Sequence, residues 1–456
     1  MLSTKVGNLV HKKVRHRHTQ AHIKFEIAQM IRVLYDISMF GKRNIPHYRT
    51  GIYRTVENLA RGLAASPECE LTFCIGPEID AGFEHLTEDA QLHLVPFAIS
   101  RSLRIRRRLH QSITNLTGSI ETSRSRSARF YRKGVRKLLY HAYQTTRSHS
   151  IPVGNKTLER ADIFHSPFHA IPTQVRNAFN LKRFLTLYDL IAIRWPELFE
   201  TTTGQYINLL LNSLDPEDFS LCISESTKND LCNYRPDLKP DRIFVTPLGA
   251  SDNFRPCTNA NAIAAVKNKY GIPPDIEYVL SLCTLEPRKN LEQAIRCFAR
   301  VVQQEHLKDL RLVLVGPKGW DYDRIFKAAK AHSISEYIIF TDFVEDEDLS
   351  PLYSGALAFI YLSLYEGFGL PPLEAMQCGA PVVTSNTSSL PEVVGDAGKM
   401  FDPMDADGIC QALLDVYRDP AQRKVMRQRS LERAKLFGWE RCTRETIAAY
   451  RNALAR

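Results

Sequence analysis

The alternation of short apolar runs with helical patterns constrains the fold of this chain more than any other feature. The run Ile31–Ile37 is apolar and rich in β-branched residues, as is typical of a strand buried in a parallel sheet. A polar loop and a helical pattern over Ile52–Ala64 follow it. The same succession recurs at Tyr278–Leu282 and Leu291–Val302. Strands that alternate with helices predict βαβ units, and therefore an α/β fold with helices on both faces of a parallel sheet.

The same patterns predict the remaining elements. The other predicted strands are Leu71–Ile75, Leu92–Phe97, Ile163–Phe164, Phe184–Leu187, Leu221–Ile223, Leu312–Val315, Tyr337–Thr341, Ala358–Leu362 and Pro381–Thr384. The other predicted helices are Thr203–Leu214, Tyr322–Ala331, Asp346–Ser354, Leu373–Cys378, 406–417 and 420–436.

A stretch rich in Pro and Asn, Thr246–Thr258, has the composition of a linker and divides these elements into two Rossmann-like domains. A length of 456 residues agrees with more than one core. Ligands of open parallel sheets bind beyond the carboxyl ends of the strands, so we expect a site in the cleft between the domains. The predicted organisation is a basic extension (1–30), a first domain (31–245) with a basic insertion (101–150), the linker (246–258), a second domain (259–436) and a final helix (437–456) packing on the first domain.

The net charge of +10 is concentrated in two segments. Residues 1–30 contribute +5 and residues 101–150 contribute +12, so the rest of the chain is mildly acidic. Around Arg104–Arg108 and Arg132–Lys137, apolar and aromatic residues are interspersed among the basic ones. This pattern fits an amphipathic helix on an anionic membrane surface, although a poorly ordered surface insertion has the same composition. We expect no nucleic-acid partner, because no recognition motif accompanies the charge.

Composition narrows the class of protein further. With 44% hydrophobic and 24% charged residues the chain is neither collagenous nor wholly disordered. The ten cysteines contain no CxxC pair, which favours reduced thiols and a cytoplasmic location. The apolar run Gly355–Tyr365 is too short to span a membrane, and Met1–Val10 lacks the apolar core of a signal peptide.

The segment Tyr365–Gly379 (YEGFGLPPLEAMQCG) carries the pattern with the clearest chemical meaning. Glu366 follows a predicted buried strand, and Glu374 would lie early in the next helix. The Pro-Pro pair suits a first helical turn, whose free N–H groups attract a phosphate or another anion. Two glycines let the backbone approach a ligand, and carboxylates accept hydrogen bonds from hydroxyl groups. A ribose diol suits Glu374 and a second polyhydroxyl group suits Glu366; alternatively, both glutamates only favour a helix N-terminus.

This segment, read on as EGFGLPPLEAMQCGAPVVTSNTSSLPEVVGDAG, resembles the donor-site signature of the retaining glycosyltransferases of family 4, which have the GT-B fold. The core of that signature is two glutamates separated by seven residues, here Glu366 and Glu374. The resemblance is strong over 245–440, weaker over 31–100 and 160–245, and does not cover 1–30 or 101–150. It implies a nucleotide-sugar-binding second domain, an acceptor-side first domain and a nucleotide diphosphate sugar as donor.

The resemblance also implies how the donor is held. Arg288 and Lys289 lie in the loop where the family binds the diphosphate, and a guanidinium fork beside an ammonium group can neutralise its charge. On its own, such a pair is usually a solvated surface. Many members carry an arginine shortly before the lysine, where this chain has Cys283. The donor-binding residues implied are Gly51, Arg288, Lys289, Val344, Glu366, Gly367, Phe368, Gly369, Leu370 and Glu374.

In the first domain, Arg49–Arg54 (RTGIYR) is similar to the family's glycine loop, with Gly51 kept and Tyr53 in place of the second glycine. Gly51 is equally compatible with a simple turn. His165 matches the family histidine near the donor sugar, and Asp189 follows a tyrosine where relatives often have histidine. We expect Tyr53 and Asp189 on the acceptor side. The catalytic residues implied are His165, Arg288, Lys289 and Glu366.

We expect no essential metal and no other cofactor. His165 and His169 have the spacing of a helical zinc site, but Pro167 lies between them and no third ligand is evident. The Asp-x-Asp pairs that begin at Asp321 and Asp405 stand at helix starts, where aspartate is a common cap. The chain also lacks a GxxxxGK[ST] phosphate loop, an HExxH motif and a GxSxG motif.

Together these features predict a cytoplasmic enzyme, peripheral on the inner face of the plasma membrane. It would transfer a hexose to a glycan or lipid-linked acceptor with retention, in the synthesis of a cell-surface polysaccharide such as O-antigen. TLEPRKN and SLYEGFGLPPLEAM look most like bacterial mannosyl- and rhamnosyl-type enzymes, which favours GDP-mannose as donor. The alternatives are a nucleotide-sugar hydrolase or epimerase on the same fold and a non-catalytic nucleotide-sugar-binding protein. A nicotinamide dehydrogenase is disfavoured, because the glycine fingerprint after the first strand is missing.

Overall fold

Two parallel six-stranded sheets, each covered by helices, form the frame of the molecule. The structure is a computed structural model that describes residues 30–42, 51–74, 89, 91–98, 101–121, 125–145, 153–199 and 201–456. The predicted extension 1–30 therefore lies, except for Met30, outside the described residues. The α/β prediction with parallel sheets is confirmed.

The first sheet has the order β2-β1-β3-β4-β5-β6. Its strands are β1 (Ile31–Asp36), β2 (Cys69–Cys74), β3 (Ile163–Ser166), β4 (Lys182–Leu187), β5 (Phe219–Cys222) and β6 (Ile243–Val245). Its register places Val33 beside Leu71 on one side and beside Ile163 on the other. The helices of this half are α1 (Gly51–Ala65), α2 (Arg101–Glu121), α3 (Arg126–Thr145), α4 (Asn155–Arg160), α5 (Thr173–Arg176), α6 (Ile191–Arg194), α7 (Thr201–Asn212) and α8 (Glu225–Tyr234).

The second sheet has the order β12-β11-β10-β7-β8-β9. Its strands are β7 (Glu277–Leu282), β8 (Leu310–Val315), β9 (Ile338–Asp342), β10 (Ala358–Tyr361), β11 (Val382–Ser385) and β12 (Lys399–Phe401). The remaining helices are α9 (Ala260–Lys269), α10 (Leu291–Gln304), α11 (Asp323–Ala331), α12 (Asp346–Gly355), α13 (Leu370–Gln377), α14 (Leu390–Val394), α15 (Ala406–Arg418), α16 (Pro420–Ala434) and α17 (Trp439–Leu454).

One predicted strand is wrong. Within Leu92–Phe97, the residues Leu92–Leu94 form a 3-10 turn, and only Phe97 bridges to the sheet, opposite Phe73. Pro96 has no amide hydrogen, so it cannot donate to a sheet, and its carbonyl instead accepts the Phe73 N–H at 2.8 Å. The patterns also missed β6 and β12, which have three residues each and lie at sheet edges.

The basic segment 101–150 contains α2 and α3, which pack against each other as a helical hairpin. Arg132 on α3 donates to the carbonyl of Ser119 on α2 at 2.7 Å. In the described part of the chain no helix is long and apolar enough to cross a membrane.

The final helix α17 packs against α1, although the two are separated by most of the sequence. Ile447 and Tyr450 are buried in the same hydrophobic core as β1 and α1. The contact is tight at Gly62, because an added Cβ there would lie 2.0 Å from the Thr443 hydroxyl oxygen. The chain thus returns to the first domain after completing the second.

This close contact leads to a stability prediction. Gly62→Ala should lower the free energy of unfolding by about 1–3 kcal/mol, because the new methyl group overpacks the α1–α17 contact. Gly134→Ala on α3 is the control, since no atom lies within 4 Å of its added Cβ and alanine favours a helix by up to about 1 kcal/mol. Thermal unfolding of both variants measures the difference. Equal effects of the two substitutions would contradict the packing described here.

Candidate functional site

A cleft of about 480 Å³ lies between the two sheets. Gly51, Arg54 and Asp189 line it from the first domain, and Lys289, Glu366 and Glu374 line it from the second. These residues follow, or lie in helices that follow, the carboxyl ends of parallel strands, where parallel sheets place their ligands.

The walls of the cleft approach each other closely at two glycines, Gly51 and Gly367. A Cβ on Gly367 would lie 2.3 Å from the carbonyl oxygen of Tyr188, so only glycine fits this contact between the domains. Gly369 has φ +113° and directly precedes α13, whose first turn contains the Pro-Pro pair. The left-handed backbone conformation of Gly369 and the two prolines after Leu370 turn the chain sharply into the helix.

Glu366 is the most heavily bonded side chain of the cleft. Its carboxylate pairs with Lys289 at 2.6 Å and with Arg288 at 2.9 Å, and it accepts hydrogen bonds from the hydroxyls of Tyr361 and Ser363. Burial alone would raise the pKa of Glu366, but the two cations outweigh it and lower this pKa to about 2. Glu366 is therefore a permanent anion at neutral pH.

Arg288 and Lys289 belong to a 3-10 turn, Pro287–Lys289, that follows β7 and precedes α10. Arg288 also contacts Glu286 at 2.7 Å and donates to the carbonyl of Tyr365 at 2.8 Å. The two cations thus face Glu366 and Glu286 across the loops that follow β7 and β10. An incoming anion with two charges could bind the same two cations, and both cations would then keep a partner of opposite charge. Cys283 also lines the cleft, and burial raises the pKa of its thiol to about 12, so it contributes no charge there.

Glu374, on α13, lies in a different environment. Its carboxylate accepts a hydrogen bond from Tyr353 at 3.1 Å and lies 3.5 Å from Arg54 of the first domain. Burial raises the pKa of Glu374 to about 7, although Arg54 and Tyr353 oppose the rise. Arg54 also forms an ion pair, at 2.7 Å, with Asp346, which is the first residue of α12.

The other predicted donor-site residues also line the cleft. Besides those described above, they are Val344, Phe368 and Leu370, and Gly51 faces Leu370 across the cleft. On the acceptor side, Asp189 also lines the cleft, and its carboxylate accepts the Ile191 N–H at 3.0 Å. Burial raises the pKa of Asp189, while nearby Arg288 opposes the rise.

The structure does not place His165 and Tyr53 on the cleft. His165 is fully buried, with one ring nitrogen 2.6 Å from the Tyr450 hydroxyl and the other 2.7 Å from the Thr186 hydroxyl. Burial lowers the pKa of His165 to about 3, so the ring is neutral. His165 is therefore corrected from a position beside the cleft to a core position, and its catalytic role stays a prediction. Tyr53 is likewise buried, with its ring against Phe40.

Sequence reasoning missed Arg54, Asp346, Tyr353 and Tyr361 as neighbours of the two glutamates. Arg54 is the last residue of the RTGIYR segment, and its positive charge was the only sequence feature that could have indicated a pairing with one of the glutamates. Within the described ranges no cluster of three or more metal-ligating side chains occurs. Asp405 caps α15 by accepting the Gly408 N–H at 3.0 Å, and Asp323 is the first residue of α11.

Comparisons with known proteins agree with this geometry. Residues 263–433 match the family model "Glycosyl transferases group 1". The chain is 36% identical over 293 residues to the O-antigen chain mannosyltransferase B of Escherichia coli, covering 63% of this chain and 74% of that protein. It is 32% identical over 251 residues to the serotype-specific mannosyltransferase WbdA of E. coli, covering 55% of this chain but 30% of that protein.

Among solved structures, sucrose-phosphate synthase from Thermosynechococcus elongatus superposes with a TM-score of 0.61 and 19% identity. The match covers 93% of this chain and 99% of that chain. It shows the fold alone, and with the two parallel sheets it confirms the expected GT-B architecture.

The raised pKa of Glu374 predicts a pH-dependent gain from Glu374→Gln. The folded protein binds this proton more tightly than the unfolded chain. Glu374 therefore does not lower the free energy of unfolding at a pH below its ordinary pKa of 4.5. Above that pH the loss of unfolding free energy grows until the pH reaches about 7, and it is constant at higher pH. The uncharged amide avoids this cost, so at pH 8 the variant should be more stable than the parent by about 1–2 kcal/mol.

Denaturant unfolding at pH 5 and pH 8 measures this gain. Glu347→Gln on the exposed side of α12 is the matched control and should change little at either pH. A Glu374→Gln variant with the same relative stability at both pH values would contradict the assigned environment.

Proposed function

The chain belongs to the glycosyl transferases group 1 family, and on that premise we propose that it transfers mannose from GDP-mannose to a glycan or lipid-linked acceptor. The proposed product is a bacterial cell-surface polysaccharide of the O-antigen type. The observation that carries the proposal is the cleft in which Glu366 faces Arg288 and Lys289, in a chain 36% identical to an O-antigen chain mannosyltransferase.

The cleft offers a separate group for each part of such a donor. The diphosphate takes the place of Glu366 and Glu286 as the partner of Arg288 and Lys289. Glu366, released from part of this pairing, accepts hydrogen bonds from the sugar hydroxyls. Glu374 accepts hydrogen bonds from the ribose, because its carboxylate has capacity beyond its contacts with Tyr353 and Arg54.

We propose that the transfer retains the anomeric configuration. The bond between the anomeric carbon and the β-phosphate oxygen breaks, and its electron pair leaves with the phosphate. The acceptor hydroxyl oxygen bonds to the same carbon from the same face, and its proton passes to the leaving phosphate oxygen. Arg288 and Lys289 stabilise the charge that develops on the phosphate, while the Glu366 carboxylate stabilises the positive charge on the sugar.

No metal is required in this proposal. Two cations from the turn after β7 already lie in the cleft, and a divalent ion would supply the same charge neutralisation.

The test is a transfer assay with purified protein, GDP-mannose and a membrane extract that carries the acceptor. Mannose should appear in the acceptor fraction with the anomeric configuration of the donor, and EDTA should leave the rate unchanged. Lys289→Ala should reduce the rate by at least about tenfold, since a charge-assisted hydrogen bond of about 1.5–3 kcal/mol is lost.

Lys435→Ala is the matched control, because Lys435 pairs with Glu432 on an exposed helix end. Release of free mannose without transfer would instead favour a hydrolase. Transfer with inversion, or loss of activity in EDTA that Mn²⁺ restores, would contradict the corresponding part of the proposal.

We further propose that the α2–α3 hairpin holds the protein on the anionic inner surface of the plasma membrane. The side chains of Phe130, Tyr131 and Leu138 on α3 are 82%, 74% and 73% exposed. Exposed Lys133 and Lys137 lie on the same helix. Aromatic and basic side chains together on an exposed helix suit the interface of an anionic bilayer, where each cation contributes about 1 kcal/mol.

This surface predicts binding to anionic vesicles. The protein should sediment with vesicles that contain phosphatidylglycerol but not with pure phosphatidylcholine vesicles, and salt should release it. Replacing Lys133, Arg136 and Lys137 by Gln should weaken sedimentation. Replacing Lys424, Arg429 and Arg444, which are exposed on α16 and α17, should leave it unchanged. Sedimentation with neither vesicle type would remove the membrane role, and equal sedimentation with both would contradict the role of the basic residues.

A further inference from the structure

We propose that Arg54 is a positioning residue that reaches across the cleft to hold Glu374 ready for the ribose of the donor. The inference rests on the proposed function, because that function places the ribose of a nucleotide sugar at Glu374. The resemblance of RTGIYR to a glycine loop assigns no role to this cation, whereas its two ion pairs across the cleft do.

Arg54 connects two helices of the second domain to one helix of the first. It lies in the first turn of α1, and its guanidinium nitrogens lie 2.7 Å from Asp346 on α12 and 3.5 Å from Glu374 on α13. These distances are possible only when the domains are close together. Opening the cleft would therefore break both ion pairs at once.

The pairing leaves Glu374 able to bind a diol. Arg54 approaches one carboxylate oxygen and Tyr353 donates to the other, so the two oxygens, with about four acceptor sites, still have room for two hydroxyl groups. The Arg54 side chain is 29% exposed and has a second anchor in Asp346. It can therefore stay in place while the ribose occupies Glu374.

Arg54 also controls the ionisation of Glu374. The charged and titratable groups that face this carboxyl are Arg54 from α1, Tyr353 and Asp346 from α12, and the thiol of Cys378, which directly follows α13. Burial raises the pKa of Glu374 to about 7, and of the two groups that oppose the rise Arg54 has the stronger effect and Tyr353 the weaker. Without Arg54, more of Glu374 would be protonated at pH 7. A protonated carboxyl has fewer acceptor sites for the two ribose hydroxyls.

The test is calorimetric titration of the full chain with GDP, and in parallel with UDP, between pH 6.5 and pH 8.5. Arg54→Ala should weaken binding at least about fivefold at pH 6.5, and the ratio to wild type should shrink as the pH rises and Glu374 ionises in both proteins. Comparing ratios cancels the titration of the nucleotide itself. Arg54→Lys should recover part of the affinity, since it keeps the charge.

Arg61→Ala is the matched control. Arg61 lies on the same helix and forms ion pairs with Glu57 and Asp89 inside the first domain, so its removal should leave nucleotide affinity unchanged. Thermal unfolding confirms that each variant is folded.

A double-mutant cycle with Glu374→Gln completes the test, because Arg54→Ala should have little further effect once Glu374 cannot ionise. A loss that is equal at every pH and persists in the Glu374→Gln background would overturn the inference, since Arg54 would then act on the nucleotide directly. Normal affinity in Arg54→Ala would also overturn it. Failure of wild type to bind either nucleotide would refute the proposed function and this inference together, whereas nucleotide binding without mannosyl transfer would refute only the proposed function.

Discussion

The pairing of Glu366 with Arg288 and Lys289 is the interaction on which the site depends. Burying these charges is costly unless each has a partner, so the carboxylate and the cations must come together in a fixed geometry. The fold achieves this because β7 and β10 are neighbours in the second sheet. The cations follow β7 and the carboxylate follows β10, so the pairing of two central strands sets the distances between them.

The close approach of the two domains is a second constraint. It depends on the backbone of Gly367, which the sequence pattern had indicated as ligand-binding. The carbonyl of Gly367 accepts a hydrogen bond from the Ser224 hydroxyl at 2.7 Å, and the missing side chain lets the Tyr188 carbonyl approach. Gly367 therefore serves the contact between domains as well as the cleft. A larger residue there would separate the two walls and move Arg54 away from Glu374.

The sequence predicted those parts of the molecule that are determined by the pattern of residues within one short segment. Central strands such as β7 are uninterrupted apolar runs, and Glu366 and Glu374 lie in one short segment. Edge strands such as β12 are too short to show a period. Contacts between distant segments were not predictable, since the Tyr450 hydroxyl that holds His165 comes from a helix 285 residues further along the chain. The pairing of Arg54 with Glu374 is of the same kind.

The two glutamates show that environment, rather than residue type, divides the chemistry of the cleft. They are eight residues apart, both are buried, and yet the pKa of Glu366 is about 2 while that of Glu374 is about 7. Two close cations and two hydroxyl donors surround Glu366, whereas Glu374 has one hydroxyl donor and a more distant guanidinium. Glu366 consequently keeps its charge and cannot donate a proton at neutral pH, so its contribution to a reaction is electrostatic. Glu374 sits near its midpoint, where a single added or removed charge decides its protonation state, and this makes the cross-domain arginine an effective control on it.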